Sequence, residues 1–249
     1  MKVLIACEES QTVCKAFREK GNEAYSCDIQ EPSGGHPEWH ILGDALEAIQ
    51  GGIIETMDGE AHEIGQWDML IAHPPCTYLT AASAIRLFNS NHSIKDLERE
   101  QKGWQAKEFF LKILNSEVEK IAVENPAPLK YFELPAYSQI IEPYMFGDPW
   151  KKRTCLWIKG LPKLKTTNMV EPLGLWIGAT SGRKNGSGRV KNGYTLKSNR
   201  DQKIRSKTFH GIAQAMAEQW GETKDDEQRN ATPRTGGEAD ERNIKQPGV

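Results

Sequence analysis

The sequence predicts an α/β fold built on a parallel sheet, and three stretches predict it. Met69-Leu70-Ile71-Ala72 is an apolar run long enough for a strand buried on both faces and too short for a helix; Pro74-Pro75 ends it abruptly. Ile121-Ala122-Val123 is a second such run, ending in Glu124-Asn125-Pro126. At the start, Lys2–Ala6 reads as a strand, Gln11–Lys20 as a helix and Ala24–Asp28 as a strand closing on an acid. That succession opens a nucleotide-binding α/β unit, and open sheets of this kind place ligands at the carboxyl ends of their strands.

Each element has its own signal. The Gln11–Lys20 helix puts Val13, Ala16 and Phe17 on one face and stops at Gly21. Asp28 stands where an acid would hold ribose hydroxyls. The loop between, Cys7-Glu8-Glu9-Ser10-Gln11, has no glycine, so its backbone cannot approach a ligand closely. Its two acids would repel a phosphate, which disfavours NAD or ATP, and would tolerate a cation; the alternative is a surface turn with solvated glutamates. Glu31–Gly35 is loop, Trp39–Leu42 a short strand, and Asp44 an N-cap candidate for a helix over Ala45–Ile49. After Cys76, Ala81–Ser93 is a mixed segment that could close over a site.

Ile94–Asn115 is a long helix whose Leu97, Trp104, Phe109, Leu111 and Leu114 read as core rather than as a base-stacking platform. Lys120–Glu124 is the next strand, followed by a loop with Pro126, Pro128 and Pro135. Gln139–Met145 and Thr154–Ile158 are two more strands, with a turn at Gly147-Asp148-Pro149. Residues 1–159 thus form the main α/β domain. Residues 160–207 are a Gly-rich, basic appendage of short strands and loops. Within 208–221, Phe209–Trp220 is a helix with an apolar stripe, and 222–249, charged and nearly free of apolar residues, reads as a disordered tail.

At 249 residues the chain can bury one sizeable core, which suits one domain plus a small appendage. The net charge of −2 argues against a wholly basic nucleic-acid coat protein. Charge is unevenly distributed, however: Ser181–Lys207 holds Arg183, Lys184, Arg189 and six further basic residues against the single acid Asp201. The five cysteines are odd in number and form no Cys-x-x-Cys pair, so neither a disulfide framework nor a zinc site is suggested and no metal is expected. No apolar run approaches the roughly 18 residues of a membrane span, and the first residues read as a strand rather than a signal peptide. A cytoplasmic protein with free thiols and no membrane partner is expected.

A single cysteine after a strand is ordinarily a small buried hydrophobe. Here a carboxylate is delivered by a second strand. Cys76 and Glu124 at two strand mouths have a joint chemical use: a thiolate adds to an electron-poor ring, and a carboxyl protonates or hydrogen-bonds that ring.

Pro74-Pro75-Cys76 and Glu124-Asn125-Pro126 resemble the nucleophile and Glu-Asn motifs of the DNA cytosine-5 methyltransferases. The chain to about Gly221 resembles small phage and prophage proteins of the cytosine methyltransferase-like group. The resemblance implies a Rossmann-like fold dependent on S-adenosylmethionine, with Cys76 as nucleophile and Glu124 at the base. Of Lys151-Lys152-Arg153, Arg153 is carried over from a paired-arginine motif that contacts the target base and its phosphate. Cys7, Glu8, Asp28, Asp44 and Pro74 are the implied cofactor-binding residues, with Asp44 reading the adenine amino group. Asn125, Arg183, Lys184 and Arg189 are the implied substrate-binding residues. The chain departs from the family in lacking its Phe-x-Gly-x-Gly loop and in carrying His210-Gly211 where a Gly-Asn is usual. The appendage, about half the ~100 residues of an ordinary domain, could grip phosphates but hardly read a long base sequence. The expectation is methyl transfer to carbon 5 of cytosine in DNA with low sequence specificity. The alternatives are the same chemistry on RNA or a free cytidine nucleotide, and a catalytically silent cofactor- or DNA-binding protein.

Overall fold

The computed structural model describes residues 1–175 and 208–221. Arg183, Lys184 and Arg189, most of the expected appendage and the expected tail lie outside the described residues.

Seven strands form the central sheet: β1 (Lys2–Ala6), β2 (Glu23–Asp28), β3 (His40–Leu42), β6 (Met69–Ala72), β7 (Lys120–Pro126), β8 (Gln139–Ile141) and β10 (Thr154–Lys159). Their spatial order is β3-β2-β1-β6-β7-β10-β8. The first five run parallel, and β10 is antiparallel to both β7 and β8. Strand order reverses between β1 and β6, which makes this a doubly wound, Rossmann-like sheet, and sheets of this kind bind ligands at such a reversal.

Alternation along the strands feeds two cores. Leu4, Ala6, Leu70, Ala72, Ile121 and Val123 face one side, with α2 (Ala45–Ala48) and α4 (Leu97–Leu114) over them. Val3, Ile5, Met69, Ile71 and Ala122 face the other, where α1 (Thr12–Glu19) and α5 (His210–Trp220) contribute Val13, Phe17, Ala213 and Met216. The last helix therefore packs beside the first, and Trp220 Nε1 donates to the Pro162 carbonyl at 2.9 Å.

Several boundaries differ from expectation. The long helix begins at Leu97, three residues late, because Asp96 caps it by accepting from the Arg99 N–H at 2.9 Å. Its buried face is Gly103, Phe110 and Ile113. A Cβ at Gly103 would run into the Phe132 ring. Leu97 is 74% exposed and Trp104 40% exposed, with Trp104 set edge-on to Phe132, so neither is the core residue that periodicity suggests. Strand β8 ends at Ile141, and Pro143–Met145 forms a 3-10 turn. β7 continues past Glu124, with Asn125 and Pro126 paired to Cys155 and Thr154. Two features have too little local signal to be expected: the hairpin β4 (Gly52–Glu55) with β5 (Ala61–Gly65), and the short parallel pair β9 (Trp150–Lys151) with β11 (Gly174–Leu175). After Cys76, the mixed segment holds a 3-10 turn and α3 (Ala84–Leu87). Among the described residues no helix is long and apolar enough to cross a membrane.

Candidate active site

The loops bearing Cys76 and Glu124 lie side by side, and sheet register explains why. β6 and β7 pair in parallel with Ala72 opposite Val123. One step further brings His73 beside Glu124, and the next brings Pro74 beside Asn125. His73 Nδ1 lies 2.9 Å from Glu124 Oε2. The buried Asn125 amide donates to the Pro74 carbonyl at 3.3 Å, tying the entry of the Cys76 loop to the strand that carries Glu124.

The exit of the loop is held as well. Leu79 and Thr80 turn back to donate to the Cys76 carbonyl at 3.2 and 3.1 Å. Ala81 N–H donates to Ala127 and Leu129 N–H to Leu79, so the segment after Cys76 is hydrogen-bonded to the segment after Pro126. From α4, Arg99 donates to the Thr77 carbonyl at 2.8 Å, and its guanidinium lies 4.9 Å from the Tyr78 ring centroid. Cys76 itself is half-buried.

Glu124 is mostly buried, its side chain 10% exposed, within a small charged group. Burial alone would raise its pKa, but the Lys152 ammonium, 4.0 Å away, together with His73 and a hydrogen bond donated by the Thr208 hydroxyl at 3.4 Å, brings it down to about 2. Burial opposes a charge on His73 too, yet its contact with Glu124 and the nearby Glu8 carboxylate leave it above the ordinary imidazole range. Each group thus shifts its partner toward the charged form, the carboxylate lowering toward ionisation and the imidazole rising toward protonation.

Arg153 is not part of this group. It is exposed and lies on the Glu142 side, while Lys152 is buried beside Glu124. The chain entering β10 is extended, so residues alternate in facing: Lys152 and Thr154 turn inward and Arg153 outward. The basic residue beside the carboxylate is thus Lys152, the neighbour of the Arg153 that the resemblance singles out for the target base and its phosphate.

On the other side of the strand reversal lie the expected cofactor residues. Cys7 and Gln11 bracket the first loop in left-handed conformations, φ 59° and 57°, the region usually left to glycine. Gln11 is fixed by donating to Ser26 and to the His36 carbonyl and by accepting from the His36 N–H. Glu8 is not a solvated turn residue: it is buried, and its carboxylate accepts from Val13 N–H at 2.7 Å and Cys14 N–H at 3.1 Å, capping α1. Burial nevertheless holds its pKa above the carboxylate norm. Asp28 ends β2 and accepts from the Gln30 N–H at 3.0 Å. Asp44 accepts from the Leu46 N–H at 2.6 Å and is the N-cap of α2. Burial first, then Asp28, Cys27 and Asp44, push the Cys7 thiol up, so it stays protonated. Pro74 is buried on the β6 side, where His73 N–H donates to the Ala6 carbonyl at 3.0 Å.

Three further residues of the site are not evident from the sequence. His73 sits one residue before Pro74 at a strand end, and Lys152 lies in the basic triplet; Thr208 has no local signal. Among the described residues no group of His, Cys, Asp and Glu could hold a metal ion.

The arrangement defines a doubly wound α/β protein with a cysteine loop and a buried carboxylate coupled across adjacent strands. No family model and no curated protein matches the sequence. Among solved structures, the chain is similar to a protein described as a candidate DNA modification methyltransferase encoded within a prophage of E. coli, at 13% identity and a TM-score of 0.38 over 70% of this chain and 53% of that one. It is also similar to the Entamoeba histolytica methyltransferase EhMeth, at 11% identity and a TM-score of 0.36 over 68% of this chain and 57% of that one. The chain spans little more than half the length of each.

Proposed function

We propose that the protein transfers a methyl group from S-adenosylmethionine to carbon 5 of cytosine in DNA, through a covalent adduct with Cys76. The observation that carries this reading is the register of β6 and β7, which sets the Cys76 loop against Glu124 and joins them through Asn125 and Pro74. A structural cysteine has no use for a buried, charge-stabilised carboxylate on the next strand.

The crevice at the strand reversal suits the cofactor. Asp28 would hold the ribose hydroxyls, Asp44 the adenine amino group, and the acidic surroundings of Cys7 and Glu8 fit a cationic ligand better than a phosphate. The left-handed Cys7 and Gln11 give the loop a path that glycines would otherwise provide. Bound there, the cofactor supplies an electrophilic methyl group.

Cys76 as thiolate would add to carbon 6, making carbon 5 nucleophilic, while Glu124 acts at ring nitrogen 3 and Lys152 stands beside it. Methylated carbon 5 then loses its proton, Cys76 leaves and the ring is restored. In a duplex the cytosine must be flipped out to reach this loop, with Arg183, Lys184 and Arg189 on the phosphates.

The test is transfer of labelled methyl from S-adenosylmethionine to duplex DNA, RNA and free deoxycytidine nucleotides, with Cys76→Ser as control. Label on DNA that vanishes in the variant supports the reading. Label only on RNA or nucleotides replaces the substrate, and cofactor binding with no label on anything replaces the enzyme by a binding protein.

A further inference from the structure

The proposed chemistry asks Glu124 for a proton, yet Lys152 and His73 hold Glu124 as a carboxylate. One hydrogen bond away stands a group that can carry a proton, the His73 imidazole, with Nδ1 2.9 Å from Glu124 Oε2. We propose that His73 holds the proton that Glu124 delivers, the two side chains in contact through Nδ1 and Oε2 acting as one single-proton acid toward the cytosine ring. This inference rests on the cytosine reading above, and it makes His73 a positioning residue that acts through Glu124.

The surroundings support the assignment. Glu124 from β7 meets His73 Nδ1 at 2.9 Å, Glu8 from the loop after β1 adds a second negative charge, and Lys152 from the segment entering β10 opposes them. Thr208, before α5, donates to the same Glu124 oxygen. His73 Nε2 is buried and has no hydrogen-bond partner among the described residues. The hydrogen-bonded exit for the proton is therefore Nδ1 to Glu124.

The step balances within the site. As the Cys76 sulfur bonds to carbon 6, the displaced electron pair moves through the ring to nitrogen 3. The Nδ1–H bond of His73 breaks as the O–H bond of Glu124 forms, and that bond breaks in turn as nitrogen 3 takes the proton. Neutral imidazole is left beside a carboxylate. When carbon 5 has lost its own proton to solvent water and Cys76 departs, nitrogen 3 returns its proton to the pair.

Two measurements on the full chain test this. The first is the titration of His73 followed by NMR, its signal assigned by absence in His73→Gln, in the wild type and in Glu124→Gln. The second is the rate of covalent trapping, with S-adenosylmethionine, on duplex DNA containing 5-fluorocytosine, whose fluorine cannot leave as the carbon 5 proton does. His73 should titrate above the ordinary imidazole range and fall in Glu124→Gln. Wild-type trapping should fade at alkaline pH with the same midpoint. His73→Gln, which keeps an N–H to offer Glu124, should slow trapping by roughly 10- to 100-fold at neutral pH and move that fall to lower pH. A His73 that is neutral throughout, or identical pH profiles for wild type and His73→Gln, would overturn the relay alone. Absence of trapping by the wild type would overturn the cytosine reading and the relay with it.

Discussion

The two sides of the strand reversal use their polar groups in opposite ways. On the β1–β2 side, the acids serve their own segments: Glu8 caps α1, Asp44 caps α2, and Asp28 holds the Gln30 N–H two residues on. On the β6–β7 side, polar groups are satisfied across the chain, His73 by Glu124 and Pro74 by Asn125, each pair separated by 51 residues. Local satisfaction shapes a crevice and leaves it mild. Long-range satisfaction shifts both His73 and Glu124 toward their charged forms.

The sharpest test of that contrast is the pair of cysteines facing it. Cys76→Ser should abolish methyl transfer and trapping while leaving unfolding free energy within ~0.5 kcal/mol, whereas Cys7→Ser, replacing a thiol that burial keeps protonated, should retain transfer. Loss of transfer in Cys7→Ser with retention in Cys76→Ser would reverse the two sides. Next in size, Glu124→Gln should lower kcat by about 10²- to 10⁴-fold with the fold intact, as removal of a general acid does.

Asn125→Ala removes the buried tie between the loops, and a urea titration should show a loss of roughly 1–3 kcal/mol. The charged pair predicts a pH signature of stability. Glu124, lowered from 4.5 to about 2, contributes fully above about pH 4.5, and its contribution disappears as pH falls toward 2. His73, raised from 6.5, contributes fully below that value, and its contribution disappears as pH rises through its folded-state pKa. Stability from the pair is therefore greatest between about pH 4.5 and 6.5, and thermal melts of Glu124→Gln should show smaller acid and alkaline declines than the wild type. The smallest effect belongs to the local side: Asp44→Ala should cost about 1 kcal/mol through the lost cap. Calorimetric titration with S-adenosylmethionine then separates a pure cap, with unchanged affinity, from a cap that also binds the cofactor.

Much of the fold is legible in the chain because its signals are local. β1, α1, β2 and β6 follow from apolar runs, a helical face and proline stops, and each falls within a residue or so of expectation. Trp104 misled because helical period alone does not say how wide a face is covered; Phe132 lies over Gly103 and covers a narrower stripe. The β4–β5 hairpin has only glycine turns at Gly51, Gly59 and Gly65 to announce it, with little apolar alternation.

By its sequence alone, this protein is committed to parallel strands ending in Cys76 and Glu124 loops, because apolar run length and paired prolines act within a few residues. The choice of Lys152 over Arg153, the recruitment of Thr208 and the pairing of His73 with Glu124 were decided by tertiary structure. Each depends on strand register and on which alternate face of an extended chain turns inward, and those are settled only when segments far apart in the chain pack against one another.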